Sequence, residues 1–276
     1  MIAPLAVVVL ALVAFPTTYS YFISLYRVRL TSDQKEFVGL DNYVNTLTNG
    51  SFLDSIWYSS KFALFATLIE LIIGITLAVL LSRKQKGKGF AISLILLPMM
   101  IAPSLFALIF RLLLNDFVGV IPYYLKQAGI PVNPFDPKWV HFTLLAIDAL
   151  QWIPFVFIIA YAALTTIPVE LYEAAKVDGA GSFQTFYKII LPLLVPTIVT
   201  ILFLRGIDAF KVYDMIYVLT NGGPGELTTS VSLFIYKKAF LDGDLSEAAA
   251  ASILLTFVLA LPLYLTTKFV LRREAG

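Results

Sequence analysis

The sequence predicts an all-α integral membrane protein with six spans, and three observations carry that reading. Of its 276 residues, 59% are hydrophobic, above the roughly 45–50% of soluble domains. The apolar residues fall in blocks at 2–25, 56–81, 90–114, 142–165, 192–218 and 248–271. About 20 apolar helical residues cross a hydrocarbon core of about 30 Å, so each block is long enough. Charge is concentrated between the blocks, with Arg83, Lys84, Lys86 and Lys88 in one short run. No second domain or long linker interrupts the pattern, so residues 1–276 read as a single membrane domain. The composition also excludes several chemistries. The chain has no cysteine and His141 is its only histidine, which removes disulfides, thiolate nucleophiles and two-histidine metal sites. No phosphate-binding G-x-x-x-x-G-K-[ST] run is present, since Gly87-Lys88-Gly89 lacks the spacing. Any ATP is therefore expected on a partner, with no cofactor in this chain.

Taken in order, the first block contains Pro16, placed to kink it. A cleavable signal peptide is the competing reading. The block lacks a basic leader and stays apolar past Ala14, so a retained span is expected. Residues 27–55 are polar and predict an extracytoplasmic loop with a short interfacial helix around 37–47. The second block leads into the basic run at 83–88. Short basic loops stay cytoplasmic, and a loop wedged between two spans leaves no room for nucleic acid. The third block holds Pro98 and Pro103, where kinks are expected, and Arg111 near its outer end can snorkel. A Pro/Gly-rich outer loop follows, then the fourth block, with a kink expected near Pro154. The fifth ends in Leu219-Thr220-Asn221-Gly222-Gly223-Pro224, a turn signal. Residues 231–240 predict a short surface helix before the sixth block. An even span count, with Lys268, Arg272 and Arg273 at the end, puts both termini in the cytoplasm. Trp57 and Trp139 suit interfacial anchors, and His141 lies at such a boundary.

Between the fourth and fifth blocks, residues 168–192 form a helix–turn–helix pattern. Glu170, Glu173, Lys176 and Asp178 charge one face, while Val169, Tyr172 and Val177 are positioned to cover the other. Pro168 suits a helix start, Gly179 and Gly181 suit its break, and Ser182 suits the cap of a second short helix.

Glu173-Ala174-Ala175, three residues, Gly179, nine residues, Ile189, one residue, then Leu191-Pro192 resembles the EAA loop of binding-protein-dependent ABC importer permeases. Ile167-Pro168, Asp178-Gly179-Ala180, the segment 38–43 and the 219–224 turn resemble the sugar-type branch. The resemblance implies the type I importer permease fold of six transmembrane helices, in a bacterial or archaeal cytoplasmic membrane. It implies a heterodimer with a second, related permease, two copies of a cytoplasmic ABC ATPase, and an extracytoplasmic solute-binding protein. The cargo would be a sugar or oligosaccharide, with glycerol phosphate or a related polyol as the alternative. The subunit would catalyse no covalent chemistry. Its loop would couple to the ATPase through Glu173, Ala174, Ala175, Asp178, Gly179, Leu191 and Pro192, with the two alanines kept small where the helix meets the ATPase.

Ionisable residues inside spans are costly to insert and face partners or a water-filled path. Asp148, Gln151, Trp152 and Phe155 fall at i, i+3, i+4 and i+7 on one face of the fourth span. Arg205, Asp208 and Ala209 share a face of the fifth. Carboxylate, amide and guanidinium groups bond hydroxyls in fixed geometry, and an aromatic ring covers the C–H side of a sugar. In the family that the loop resembles, the spans beside it line the translocation path. The other reading is structural: Arg205 pairs with Asp208 along its own helix, or with Asp148 across helices. Glu70, in the second span, is expected to pack against the partner permease. An ion-driven secondary transporter would use the same carboxylates, but no internal repeat is evident. A membrane hydrolase has little beyond His141 to build with.

Overall fold

The computed structural model describes residues 8–30, 32–82, 86–130 and 132–274, and their side chains except at 32–34 and beyond 260. The expectations for Arg83 and Lys84, and for the side chains of Lys268, Arg272 and Arg273, lie outside the described residues.

Helix α1 (Leu10–Ser24) begins with a π-helical turn over Leu10–Ala14. A hairpin follows that the sequence reading did not anticipate. Strand β1 (Tyr26–Arg29) runs antiparallel to β2 (Ser32–Phe37), with Arg27 opposite Glu36 and ion-paired to it at 2.9 Å. It is tied to the far end of the chain. The Val28 N–H donates to Ser246 Oγ at 2.6 Å, and the Leu30 N–H to the Gly243 carbonyl at 2.9 Å. The expected interfacial helix is α2 (Asp41–Thr48).

Helix α3 (Gly50–Ser82) is longer than its apolar block. The third block is broken, where only kinks were expected. Helix α4 (Lys88–Leu96) ends before a 3₁₀ turn at Pro98–Met100, and α5 (Pro103–Leu113) restarts beyond extended residues Ile101 and Ala102. Two prolines five residues apart explain it, because each lacks an N–H and Pro103 forces Ala102 out of the helical region. Helix α6 (Val120–Gln127) lies in the next loop. Helix α7 (Val140–Thr165) runs through Pro154 without a break.

The central loop contributes α8 (Val169–Val177), with Pro168 as its N-cap. Gly181, not Ser182, caps the next turn; Ser182 is its first helical residue. That turn passes through a π-helical segment at Phe186–Ile190 into α9 (Leu191–Phe210). After a break at 211–213 comes α10 (Asp214–Leu219). Helix α11 (Val231–Tyr236) is not a surface helix as expected, because Val231, Leu233 and Phe234 are buried. Helix α12 (Leu245–Glu274) closes the chain. Among the described residues, Gly50–Ser82, Val140–Thr165 and Ser182–Leu219 are long and apolar enough to cross a membrane; Leu10–Ser24, Pro103–Leu113 and Leu245–Ala260 are shorter apolar helices.

Helices in lipid gain little from hydrophobic association, so they pack through small residues that let backbones approach. The seam between α3 and α7 follows that rule, with Ala66, Ala78 and Ala160 almost fully buried. At Gly74 a β-carbon would lie 2.7 Å from Val156 Cβ and 3.1 Å from the Phe157 nitrogen. Only glycine fits there. One core cluster gathers Phe62, Phe106, Leu144, Ile147, Ile216 and Leu219; a second gathers Ile75, Val156, Phe157, Ile190, Leu194 and Ile201. The charged site lies where α3, α7 and α9 meet.

Candidate functional site

Arg205 on α9 is 2% exposed and holds three carboxylates from three helices. Its Nε and Nη2 donate to the two oxygens of Glu70 on α3 at 2.6 and 3.0 Å, a bidentate clasp. Nη2 also donates to Asp148 Oδ2 on α7, and Nη1 to Asp208 Oδ2 at 3.0 Å. Glu70 is 0% and Asp148 2% exposed, whereas Asp208 is 46% exposed. Trp152 covers the guanidinium, with Cζ 4.9 Å from its ring centroid. A planar fork that forms two parallel bonds and stacks on an aromatic face is what arginine supplies and lysine does not. Both pairings read from the sequence therefore exist together. Glu70 corrects the expectation: it does not face a partner permease but lies inside this chain on Arg205. It was visible as the one acid within the second block, yet no helical wheel says which neighbouring helix it meets.

Beside this cluster is a cavity of about 210 Å³ lined by Asp148, Gln151, Trp152, Arg205 and Asp208. Gln151 is buried and donates to the Ile101 carbonyl at 3.1 Å, a backbone group freed by the break before α5. Two residues named from the sequence do not line this cavity. Phe155 packs edge-on to Trp152 and into the second core cluster, and Ala209 is fully buried in the first. The sequence reading missed Pro103, Lys211, Tyr213 and Asp214, which do line it. They belong to helix breaks, which a span-by-span reading treats as boundaries.

The central loop is the second candidate site. The Gly179 N–H bonds to the Lys176 carbonyl at 3.1 Å and the Ala180 N–H to the Ala175 carbonyl at 2.9 Å, the two bonds of a Schellman turn. Gly179 sits at its left-handed position, with φ +75. Glu173 is exposed and makes no ion pair among the described residues. Ala174, Asp178 and Pro192 are exposed and Leu191 is half-buried. Ala175 is 3% exposed, so its small size serves packing within this chain. The apolar face also departs from expectation. Tyr172 packs against the second core cluster, but Val169 and Val177 are 62% and 88% exposed, and Phe183 is 75% exposed.

A helical membrane subunit with a buried charge cluster and an exposed two-helix loop matches the family described as "Binding-protein-dependent transport system inner membrane component" over residues 70–275. The chain belongs to this family and is a non-catalytic permease subunit of an ABC importer. It is 38% identical over 263 residues to the trehalose/maltose transport system permease protein MalF of Thermococcus litoralis, covering 95% of this chain and 88% of that protein. It is 33% identical over 261 residues to the sn-glycerol-3-phosphate transport system permease protein UgpA of Shigella flexneri, covering 94% and 88%. The fold matches a chain of a bacterial ABC transporter involved in the import of the acidic polysaccharide alginate. The TM-score there is 0.86 at 23% identity, over 99% of this chain and 94% of that one. The type I importer permease fold expected from the sequence is thus the observed one.

Proposed function

We propose that this subunit carries a sugar or oligosaccharide inward, through a path that includes the cavity beside Arg205. The observation that carries the choice of cargo is the lining of that cavity. Asp148, Asp208 and Asp214 outnumber Arg205 and Lys211, so a neutral polyhydroxyl ligand is favoured over a phosphate dianion. Carboxylates and an amide accept and donate to hydroxyls, and Trp152 offers a ring face. Similarity to a trehalose/maltose permease supports this reading. Lys211 and the similarity to a glycerol-phosphate permease favour the second reading, a phosphorylated polyol.

The remaining parts follow the same reading. A second, related permease completes the membrane unit, and an extracytoplasmic binding protein delivers the cargo. Two copies of a cytoplasmic ATPase bind ATP and magnesium. Loop 168–192 docks on one ATPase copy through Glu173 and the exposed apolar residues Val177 and Phe183, with Gly179 setting the angle between its helices. Both termini are then cytoplasmic. Loaded binding protein and ATP shift the equilibrium between outward and inward states only by binding one state better than the other.

The test is uptake by the complete importer reconstituted in vesicles, offered labelled maltose-series sugars and labelled glycerol phosphate with their binding protein. ATP-dependent sugar uptake is the expected result. Uptake of glycerol phosphate alone establishes the second reading. Uptake that follows an imposed proton gradient without ATP refutes both.

A further inference from the structure

Apart from the site above, α3 and α7 enclose a groove of about 660 Å³ lined by Phe65, Ile69 and Ile73 of one helix and Leu145, Leu150 and Ile153 of the other. At one end it runs into a second cavity of about 370 Å³, and Tyr58, Lys61 and His141 line both. The second cavity is polar, with Asp54, Glu226 and Thr229 in its wall. Tyr58 and Thr229 line it as buried residues, 8% and 5% exposed.

Asp54, Tyr58 and Lys61 fall at i, i+4 and i+7 and share one face of α3. Neither Asp54 nor Lys61 makes an ion pair among the described residues; Lys61 Nζ stands 5.2 Å from the Trp57 ring centroid. Trp57 and Trp139 fit the headgroup level, where amphipathic rings gather. From Lys61 to Ile73 the groove follows α3 for about 18 Å at about 1.5 Å per residue. That is close to half of a hydrocarbon core of about 30 Å, the depth of one leaflet. Polar crown, apolar trough and leaflet depth together describe an amphiphile.

We propose that this cleft binds one phospholipid with a primary-amine headgroup, in the leaflet at the Trp57 end. Its phosphate accepts hydrogen bonds from Lys61 Nζ, its ammonium donates to Asp54 and Glu226, and its acyl chains fill the trough between α3 and α7. An anionic lipid without the amine meets two uncompensated carboxylates, and a choline headgroup has no N–H to donate. The inference requires only that the chain lies in a bilayer, so it stands or falls separately from the cargo and the direction of transport.

The experiment uses the complete importer in bilayers doped with photoreactive phosphatidylethanolamine, phosphatidylglycerol or phosphatidylcholine carrying a diazirine on the acyl chain. After irradiation, adducts are mapped to peptides and assembly is checked by gel filtration. Phosphatidylethanolamine adducts are expected within 61–73 and 141–153. Lys61 and Asp54 are exposed, so their substitution leaves the core intact. Lys61→Ala should lower labelling about fivefold, as for one basic residue at a membrane surface. Asp54→Ala with Glu226→Ala should erase the preference for phosphatidylethanolamine over phosphatidylglycerol. Ala146→Trp, at an exposed position in the trough wall, should block adducts. Equal labelling by all three lipids, adducts confined elsewhere, or no effect of Lys61→Ala overturns the proposal. Complete cross-linking of Phe65→Cys to the second permease subunit also overturns it, by showing that protein fills the cleft.

Discussion

Replacing Arg205 by methionine tests whether the buried cluster holds the three central helices together. The substitution removes four hydrogen bonds, two of them to Glu70 and one to Asp148. Asp208 is 46% exposed and can rehydrate, but Glu70 and Asp148 are at most 2% exposed and cannot. Breaking a buried ion pair by removing one partner costs about 3–5 kcal/mol, because a charge stays buried without compensation. The folded-to-unfolded ratio of Arg205→Met should therefore fall by more than about a hundredfold. Replacing the whole cluster with apolar groups of similar volume is close to neutral in such systems. The triple variant Glu70→Met, Asp148→Leu, Arg205→Met should then recover most of the loss, giving a coupling of about 2–3 kcal/mol. The assay is denaturant unfolding of the complete importer in mild detergent, with midpoints and slopes compared. If Arg205→Met lies within about 1 kcal/mol of the parent, or the triple variant is no more stable than the single one, the cluster does not carry the packing.

Four further outcomes are expected. Cysteines placed at Lys86 and Asn221 in this cysteine-free chain should react with an impermeant reagent from opposite sides of the membrane; reaction from the same side refutes the orientation. Gly179→Val meets nothing within 4 Å, so its effect is the backbone penalty alone, about 1–2 kcal/mol. Transport and ATPase retention should fall together in that variant, and normal transport with ATPase bound refutes the coupling role. Val177→Asp and Phe183→Ser should weaken ATPase co-purification more than Glu173→Ala. Burying a large apolar side chain is worth about 1.5–3 kcal/mol, against about 0–1 for an exposed ion pair; the reverse order refutes apolar docking. Trp152→Ala should abolish uptake in an assembled complex while Phe155→Ala retains it, and equal loss in both places the path elsewhere.

The apolar blocks and the central loop were legible because each is written locally. Hydropathy over about 20 residues announces a span, and the Gly179 turn is fixed by residues within one helical turn of it. What escaped depended on partners distant in sequence. Strand β1 is short and polar, and its anchors Gly243 and Ser246 lie more than 200 residues away. Residues 231–240 are apolar but too short to read as a span, and what covers them is distant in sequence: α11 packs against Phe52 of α3 and Ala251 of α12. The candidate cavity was half legible. Helical spacing put Asp148, Gln151 and Trp152 on one face and extended it one turn too far, to Phe155. It gave no account of Pro103, Lys211 and Tyr213, because these stand where the helices stop.

Arg205 ties α3, α7 and α9 to one another with charge-assisted bonds, so these three helices share one buried anchor. Helices α5 and α10 pack together through Phe106, Ala107, Met215, Ile216 and Leu219, in the same core cluster as Phe62 of α3 and Leu144 of α7. The chain leaves helical geometry at extended residues 101–102, just before α5, and at the interruption at 211–213, just before α10. These are the segments that absorb dihedral change most cheaply. The cavity lies beside both interruptions, lined by Asp148, Trp152 and Asp208 and by Pro103, Tyr213 and Met215. A dihedral change at either interruption would reshape the cavity beside Pro103 and Tyr213 while leaving Glu70 sealed on its arginine.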